Sequence, residues 1–296
     1  MILVDVWMIY SKSFYDKKLE NKTKESLENY AKEKHNMNLS ILSDHYFTIM
    51  CDVTGNKIIY QGKEIREFPK IVFFKKYDLY LARQFELLGV KVFNSSDAMS
   101  DARNKLKTYQ ILSQNGINIP KSIYISSGVK RRNYTYNEVC QYLGTDKFVL
   151  KPVFGSKGKD IYLIKTEKEF NDILNDFSGI CIFQEFIDTT NGKDIRSFVI
   201  ADKYQGSAYR TNPDDFRQNY SLGAKVYRLQ EKDENIINVA EAAARALNLW
   251  SCTVDLLINE NGYYVCEVNS IPGKTRKINT NKRLINRLSE ELENLK

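Results

Sequence analysis

Short apolar runs alternate with longer polar segments of helical spacing along the first hundred residues of the chain. Strands that alternate with helices in this way predict a mainly parallel sheet, the arrangement of an α/β domain. We predict strands over residues 2–9, 39–42, 57–60, 71–74 and 90–93, and helices over residues 16–34 and 79–88.

The pattern changes after a predicted helix over residues 101–115, which ends at Gly116. Beyond Pro120 we predict a smaller α+β unit with strands over 148–153, 161–164 and 180–185. Its helix begins with Thr166 and Glu169 in capping-box spacing.

A polar break over residues 189–192 precedes a larger α+β unit. For this unit we predict a strand over 195–200, a loop over 212–223, a helix over 233–247, a hairpin over 254–273 and a terminal helix after Asn281. The pattern therefore predicts three domains: an N-terminal α/β domain over residues 1–100, a small central α+β domain over 101–188 and a larger C-terminal α+β domain over 189–296.

The composition is that of an ordinary globular protein, with 43% hydrophobic and 27% charged residues in 296. No stretch approaches the roughly 20 apolar residues that span a membrane. Five scattered cysteines without a CxxC pair favour free thiols in a reducing cytoplasm. Because the chain has only two histidines, zinc sites and catalytic triads that depend on histidine are disfavoured.

The net charge of +7 is compatible with anionic ligands such as nucleotides, phosphates or acidic peptides. The longest purely basic run is the triplet Lys130, Arg131 and Arg132, which we interpret as a solvated loop. No basic surface interleaved with aromatic residues is evident, so we do not expect a nucleic-acid partner.

The hairpin over residues 254–273 is apolar on both faces, yet it carries Asp255, Glu267 and Asn269. Ionised carboxylates among buried strands are costly unless they are paired or bind a cation. Three oxygen ligands in one hairpin indicate a hard metal ion, with Mg²⁺ as the first choice. The alternative is a hairpin with one polar, solvated face.

The turn decides whether these three side chains converge. A two-residue turn at Asn261 and Gly262 would pair Asp255 with Val268. A three-residue loop over 260–262 would instead pair Asp255 with Glu267 and put Asn269 on the same face. We favour the three-residue loop.

A second motif, over residues 151–161, is a strand followed by a short loop of glycine, serine and lysine and another strand. Glycines at 155 and 158 let backbone N–H groups approach a phosphate closely. Lys151, at the end of the strand, would reach the phosphate as a point charge. No GK[ST] opens a helix here, so the motif is not a Walker A loop, and an ordinary hairpin turn is the alternative.

Taken in order, the motifs resemble those of the ATP-grasp superfamily, and within it the RimK-type branch of glutamate ligases. The similarity covers about residues 95 to 275. It rests on the segments Ala102 to Pro120, Gly192 to Arg196, Asp215 to Asn219 and Glu267 to Gly273, together with the glycine loop and the strand that ends at Ile187. The N-terminal region is similar to the pre-grasp domain of the family in its pattern only.

This resemblance implies a site with ATP and two Mg²⁺ ions, with Mn²⁺ as an alternative metal. Lys105 and Lys151 would bind the phosphates, together with the loop residues Gly155, Ser156 and Gly158. The hinge residues Gln184, Glu185, Phe186 and Ile187 would hold adenine, and Asp194 the ribose. Asp255, Glu267 and Asn269 would bind the metal ions.

The resemblance also implies the reaction. ATP would phosphorylate a carboxylate, and an amine would attack the resulting acyl phosphate to form an amide. Arg196, Arg210 and Arg217 are the candidates for binding the acceptor carboxylate or the transferred phosphoryl group. The acceptor would belong to a metabolite, a peptide or a protein, and the amine to an amino acid or a peptide.

One departure leaves the added amino acid open. Where the family has a basic, glycine-rich run after Asn219, this chain has Tyr220, Ser221, Leu222 and Gly223. Two further interpretations stay open: a precursor-peptide macrocyclase of the same fold, and a nucleotide-binding regulatory module without turnover. We expect a cytoplasmic protein without a membrane partner, with a homo-oligomer as an open possibility.

Overall fold

The structure, a computed structural model, describes residues 5–13, 15, 21–125, 134–155, 158–189, 192–213, 215–217, 223–272 and 280–295. The predicted residues Ser156, Asn219 and Gly273 and the basic triplet at 130–132 lie outside this part of the chain.

The strands are β1 (Val6–Tyr10), β2 (Leu39–Ser43), β3 (Phe47–Asp52), β4 (Gly55–Tyr60), β5 (Lys63–Glu64), β6 (Ile71–Phe74), β7 (Lys91–Phe93), β8 (Ser122–Tyr124), β9 (Phe148–Pro152), β10 (Tyr162–Ile164), β11 (Cys181–Glu185), β12 (Lys193–Ile200), β13 (Lys203–Thr211), β14 (Lys225–Arg228), β15 (Ser251–Asn259) and β16 (Gly262–Asn269). The helices are α1 (Asn21–His35), α2 (Leu79–Leu87), α3 (Ser96–Arg103), α4 (Lys105–Gln114), α5 (Tyr136–Leu143), α6 (Glu167–Asp176), α7 (Glu234–Ala246) and α8 (Thr280–Glu293).

The first sheet is parallel, in the strand order β2-β1-β6-β7, and it confirms the α/β prediction for the first hundred residues. A separate antiparallel sheet, β3-β4-β5, lies within this region. The sequence pattern does not predict β3, because its apolar residues Ile49 and Met50 are exposed and carry no alternation with a buried face.

The other two sheets are antiparallel. The central sheet has the order β10-β9-β11-β8, and the larger C-terminal sheet has the order β14-β13-β12-β15-β16. Helices α5 and α6 cover the central sheet through Val139, Leu143 and Phe170, and α7 covers the C-terminal sheet through Ile236 and Ala240. The predicted mixture of α/β and α+β architecture is confirmed.

The helix predicted over 101–115 is wrong as a single helix, because Asn104 interrupts it. Asn104 has extended backbone angles, and its side chain accepts a hydrogen bond of 3.1 Å from the N–H of Lys107. Asparagine is a favoured N-cap residue, so α3 ends and α4 begins here. The break makes Lys105 the first residue of α4, where its own N–H donates to the carbonyl of Val153 at 3.1 Å.

Helix α8 packs in a core that contains residues of the N-terminal sheet as well as Ile200 of β12. Leu284, Ile285 and Leu288 are buried together with Val6, Met8 and Ile71. The two domain boundaries predicted from the sequence stay a prediction. The packing of α8 shows in addition that C-terminal residues contact the N-terminal domain. None of the helices described here is long and apolar enough to cross a bilayer.

Candidate active site between the central and C-terminal sheets

A cavity between the central sheet and the C-terminal sheet, which we call the main cavity, is also lined by Lys105 at the start of α4. Most of the residues predicted for the site line this cavity. They are Lys105, Lys151, Gly155, Gly158, Gln184, Glu185, Phe186, Ile187, Asp194, Arg210, Arg217, Asp255 and Glu267. Apolar side chains such as Val149, Ile161, Phe216 and Leu257 complete its walls, and the sequence analysis does not single these out.

Two lysines enter the cavity from different elements. Lys151 on β9 is 7% exposed, and its ammonium group donates to Gln184 Oε1 at 2.5 Å. Lys105 at the start of α4 is 8% exposed; its ammonium donates to the carbonyl of Gly155 at 3.2 Å and lies 3.6 Å from Glu267 Oε1. Burial lowers the pKa of Lys105, and Glu267 opposes that effect.

The glycine loop fits tightly against these groups. A Cβ atom on Gly155 would lie 2.9 Å from Cγ of Pro152 and 3.9 Å from the ammonium nitrogen of Lys105. Gly158 has a φ of 71°, a left-handed conformation that favours glycine. Arg217, which also lines the cavity, donates to the carbonyl of Gly158 at 2.8 Å and so connects the glycine loop to the C-terminal domain.

A buried network of charges crosses one face of the C-terminal sheet. Arg196 donates to both oxygens of Asp255, at 2.7 and 2.6 Å. Arg210 donates to both oxygens of Asp194 and to Oδ2 of Asp255 at 3.0 Å. Burial raises the pKa of Asp255, but the two guanidinium groups outweigh it and lower the pKa to about 2. Burial raises the pKa of Asp194, while Arg210 opposes the increase.

The predicted metal ligands meet in part. Asp255 and Glu267 are directly opposite each other on β15 and β16, as predicted, and Asn269 follows opposite Thr253. Glu267 keeps Lys105 as an ion-pair partner, and the Nδ2 atom of Asn269 is buried without a partner among the described residues. The Asp255 carboxylate has less free acceptor capacity, because three of its about four lone-pair positions already accept hydrogen bonds from arginine.

These donors suit a hard cation. Carboxylate and amide oxygens are the ligands that Mg²⁺ takes in proteins, and Glu267 and Asn269 provide both. Asp255 retains lone-pair capacity on Oδ1, which among the described residues accepts from Arg196 Nε alone. The described ranges contain no cluster of three or more Asp, Glu, His or Cys side chains that could hold a metal ion by itself, so the proposed site also depends on the Asn269 amide.

The loop prediction for the hairpin is wrong although the pairing of Asp255 with Glu267 is right. Asn259 pairs with Gly262, which leaves a two-residue loop of Glu260 and Asn261. A β-bulge at Cys266, between the pairs Leu256–Val265 and Asp255–Glu267, then shifts the register by one residue.

The hinge segment, residues 184–187, lines the main cavity, and the Phe186 ring lies 6.2 Å from the ring of Phe216. The N–H of Glu185 donates to Lys121 O at 2.9 Å and that of Phe186 to Lys147 O at 3.2 Å. Adenine recognition by this segment would therefore use its carbonyl groups or the N–H of Ile187. The Lys147 ammonium lies 4.0 Å from the centroid of the Phe186 ring.

Two neighbours of the lysines escape prediction from the sequence. Cys266 Sγ lies 3.4 Å from the ammonium of Lys151, and the hydroxyl of Tyr109 on α4 donates to the Cys266 carbonyl at 2.6 Å. In the sequence, nothing distinguishes Tyr109 from the other apolar positions of a helix. The only signal for Cys266 is its place directly before Glu267.

Comparison with known proteins identifies the family. Residues 102–288 match the family described as RimK-like ATP-grasp domain. The chain belongs to this family. A probable alpha-L-glutamate ligase of Vibrio vulnificus is 34% identical over 241 residues, which cover 76% of this chain and 77% of that protein.

Solved structures have the same fold. The ATP-grasp ligase PsnB, complexed with minimal precursor, Mg and ADP, superposes with a TM-score of 0.67 at 16% identity and covers 98% of this chain and 99% of that one. A D-alanine–D-alanine ligase from Bacillus anthracis, complexed with ATP, has a TM-score of 0.65 at 14% identity, with 99% and 98% coverage. The predicted enzyme class, an ATP-grasp ligase that forms carbon–nitrogen bonds, is confirmed.

Proposed function

We propose that this ligase uses ATP and Mg²⁺ to join the amino group of an amino acid to the carboxylate of a peptide, protein or metabolite. The observation that carries the proposal is the pair of buried lysines, Lys105 and Lys151, that face Glu267 in one cavity. Two cations beside a carboxylate suit a polyphosphate with its metal. The relatives named as alpha-L-glutamate ligases support glutamate as the first amino acid to test.

In the proposed reaction, the carboxylate oxygen attacks the γ-phosphorus of ATP and ADP leaves. The amine nitrogen then attacks the carbonyl carbon, phosphate departs with the oxygen, and a proton leaves the amine. Lys105 and Lys151 hold the phosphates in line, and positioning with charge neutralisation dominates such a transfer. Glu267, Asn269 and Asp255 would hold Mg²⁺, which neutralises charge on the phosphates.

The buried network of Asp194, Arg210, Asp255 and Arg196 has a positioning role in this proposal. Both guanidinium forks are engaged by carboxylates of the chain, so they fix Asp255 before substrate arrives. A preorganised ligand costs no reorganisation during the reaction. Arg217 would hold the glycine loop over the nucleotide through its bond to Gly158.

The test is a screen for ADP release with twenty amino acids against a set of peptides and small carboxylic acids, followed by mass spectrometry. The expected product is the acceptor plus one amino acid minus water. Ring products that lose water without gaining an amine would identify a macrocyclase. ATP binding without ADP release under every condition would identify a regulatory module.

Glu267→Gln tests the role of the Glu267 charge, because it keeps the size of the side chain and removes the charge. We expect ADP release to fall at least about 100-fold, the typical cost of losing electrostatic stabilisation in an active site. Circular dichroism should show an unchanged fold. Undiminished Mg²⁺-dependent ADP release in this variant would contradict the proposed site.

A further inference from the structure

A second cavity, which we call the side cavity, adjoins the metal end of the main cavity. Tyr77, Arg103, Lys105, Glu267, Asn269 and Ile271 line it. It shares Lys105 and Glu267 with the main cavity, so a molecule bound here would reach the groups proposed to hold the transferred phosphoryl group. Tyr77, Arg103 and Ile271 have no role in the ATP site predicted from the sequence.

Arg103 distinguishes the side cavity from the rest of the site. Its guanidinium lies 5.4 Å from the centroid of the Tyr77 ring, and its shortest polar contact is 3.4 Å to the carbonyl of Gly155. Within the described ranges no acidic side chain lies within 4.0 Å of it. The arginines predicted to bind substrate are engaged instead: Arg196 with Asp255, Arg210 with Asp194 and Arg217 with Asp215.

An exposed guanidinium that lies over an aromatic ring and has no carboxylate partner among the described residues can bind the carboxylate of a ligand, because its planar fork matches two oxygens. The Nδ2 atom of Asn269 is a second donor in the wall of the side cavity, buried without a partner among the described residues. Two cationic side chains and one carboxylate line the cavity, which favours an anion.

We propose that Arg103, held by Tyr77, binds the α-carboxylate of the amine-donating amino acid. The inference rests on the proposed function and adds the class of its amine substrate. Arg103 and Lys105 both contact the carbonyl oxygen of Gly155, so a carboxylate on Arg103 lies close to the Lys105–Glu267 pair. An amino group one carbon from that carboxylate is then close to the acyl phosphate. A free α-carboxylate is the feature that this site selects.

The experiment compares L-glutamate and L-alanine with their α-amides in wild type, Arg103→Ala and Arg103→Lys. Binding is measured by calorimetry in the presence of Mg²⁺ and ADP, which needs no turnover, and KM and kcat are measured by ADP release. In Arg103→Ala we expect Kd and KM for the free acids to rise roughly 10- to 100-fold, the cost of a charged hydrogen-bonded pair. The α-amides and ATP should bind as in wild type.

Two controls separate recognition from folding. Arg103→Lys should recover part of the affinity, since it keeps the charge but loses the fork and the stacking. Arg83→Ala removes another arginine, which pairs with Glu86 on the same helix at 3.5 Å, and it should leave the affinities for the acids and the amides unchanged. An equal loss for acids and amides, or unchanged affinity for the acids, would overturn the proposal. Absence of turnover in wild type would instead contradict the proposed function, while the binding comparison still decides the role of Arg103.

Discussion

Tyr109 shows how a single hydroxyl group supports the candidate site from behind. The side chain is 3% exposed, and its hydroxyl donates to the carbonyl of Cys266, the bulged residue of β16. Burial raises the pKa of Tyr109 to about 12, so the hydroxyl keeps its proton and remains a donor. Because Glu267 follows directly after this carbonyl, Tyr109 holds the backbone from which Glu267 projects.

Replacing Tyr109 with Phe removes this donor and leaves the Cys266 carbonyl without its partner. We expect the free energy of unfolding to fall by about 1–2 kcal/mol, the cost of an unsatisfied buried carbonyl. The Mg²⁺ concentration for half-maximal ADP release should rise, because Glu267 loses its support. Urea denaturation and a Mg²⁺ titration measure the two effects.

Tyr142→Phe is the matched control, since Tyr142 is 51% exposed and a surface change of this kind costs less than about 0.5 kcal/mol. If Tyr109→Phe loses stability but keeps the wild-type Mg²⁺ dependence, Tyr109 supports the fold and not the metal ligand.

The identity of the charged site residues follows from the sequence, but their partners do not. A carboxylate such as Asp255 within an apolar strand signals a partner or a ligand, whatever the fold around it. Arg196 and Arg210 were assigned to the substrate by resemblance, yet both bind carboxylates of the chain. Each arginine and its carboxylate partner lie 16 or 59 residues apart in the sequence and meet only because their strands pair, which local patterns do not encode.

In the hairpin of β15 and β16, the pairing of Asp255 with Glu267 is predicted correctly although the predicted loop length is wrong. Pairing Asp255 with Glu267 requires one extra residue on the second strand relative to the two-residue loop that is present. The prediction puts that residue in the loop, whereas the structure puts it at Cys266. A loop residue and a bulge shift all later pairs equally, so the pairing of Asp255 by itself cannot distinguish them.

The burial of two valines distinguishes a bulge within the strand from an extra residue in the loop. Val265 and Val268 are both in the core of the C-terminal sheet. Residues three apart on a regular strand point to opposite faces, so a bulge must lie between them. In the sequence, the bulge corresponds to the two valines on either side of Cys266 and Glu267. The packing is needed to show that both valines face the same side of the sheet.

Helix α7 depends on the same hairpin for its first turn. Asp233 is its N-cap and accepts from the N–H groups of Asn235 and Ile236 and from the hydroxyl of Tyr263. The Tyr263 hydroxyl and these backbone donors lower the pKa of Asp233. We expect Asp233→Ala to lower the free energy of unfolding at pH 7 by about 1 kcal/mol, the usual cost of a lost N-cap.

The charge of Asp233 should make part of this effect depend on pH. A carboxylate whose folded pKa is lowered stabilises the protein above its unfolded pKa of about 4, and that contribution is lost as the pH falls through the folded pKa. Asp233→Asn keeps the capping geometry without the charge. Its deficit against wild type in urea denaturation should therefore shrink between pH 5 and the folded pKa; a deficit that stays constant to pH 3 would contradict the assignment.

Asn94 connects the N-terminal sheet with the strands that carry the metal ligands. Its buried side chain donates to the carbonyls of Ser251 and Ser270, each at 2.7 Å, and accepts from the N–H of Ser251 at 2.9 Å. These bonds join the end of β7 to the ends of β15 and β16. Ser270, which accepts one of these bonds, lines the side cavity together with Tyr77 and Asn269, so we expect the shape of that cavity to depend on this connection.

Asn94→Ala should lower the free energy of unfolding by about 2–4 kcal/mol, because buried backbone groups lose their partners. We also expect KM for the amine substrate to rise more than KM for ATP, since the side cavity lies at the domain contact. Thermal unfolding and ADP-release kinetics test both. Asn175→Ala on helix α6 is the control for loss of an asparagine; equal effects of the two variants would argue against a special role for Asn94.

Helix α8 adds a second connection between the first and last parts of the chain. Its Asn286 accepts from the Tyr30 hydroxyl at 2.9 Å. Its Glu291 accepts at 2.8 Å from the indole N–H of Trp250, whose ring stacks on Phe93 of β7 at 4.7 Å. The sequence predicts the helix from its spacing of apolar residues. It does not predict that the N-terminal sheet receives that apolar face, because any sheet of the protein could bury it.

The sequence by itself determined the kinds of elements, the order of the motifs, and which charged residues had to be explained, since these depend on local spacing and on the cost of burying charge. The family resemblance follows from the same ordered motifs. The tertiary structure decided which charges neutralise one another, where the bulge lies, and that Arg103 is left with Tyr77 and without an acidic partner in the described chain. These facts depend on strand register and on contacts between distant segments, and they assign the arginine that we propose to select the substrate.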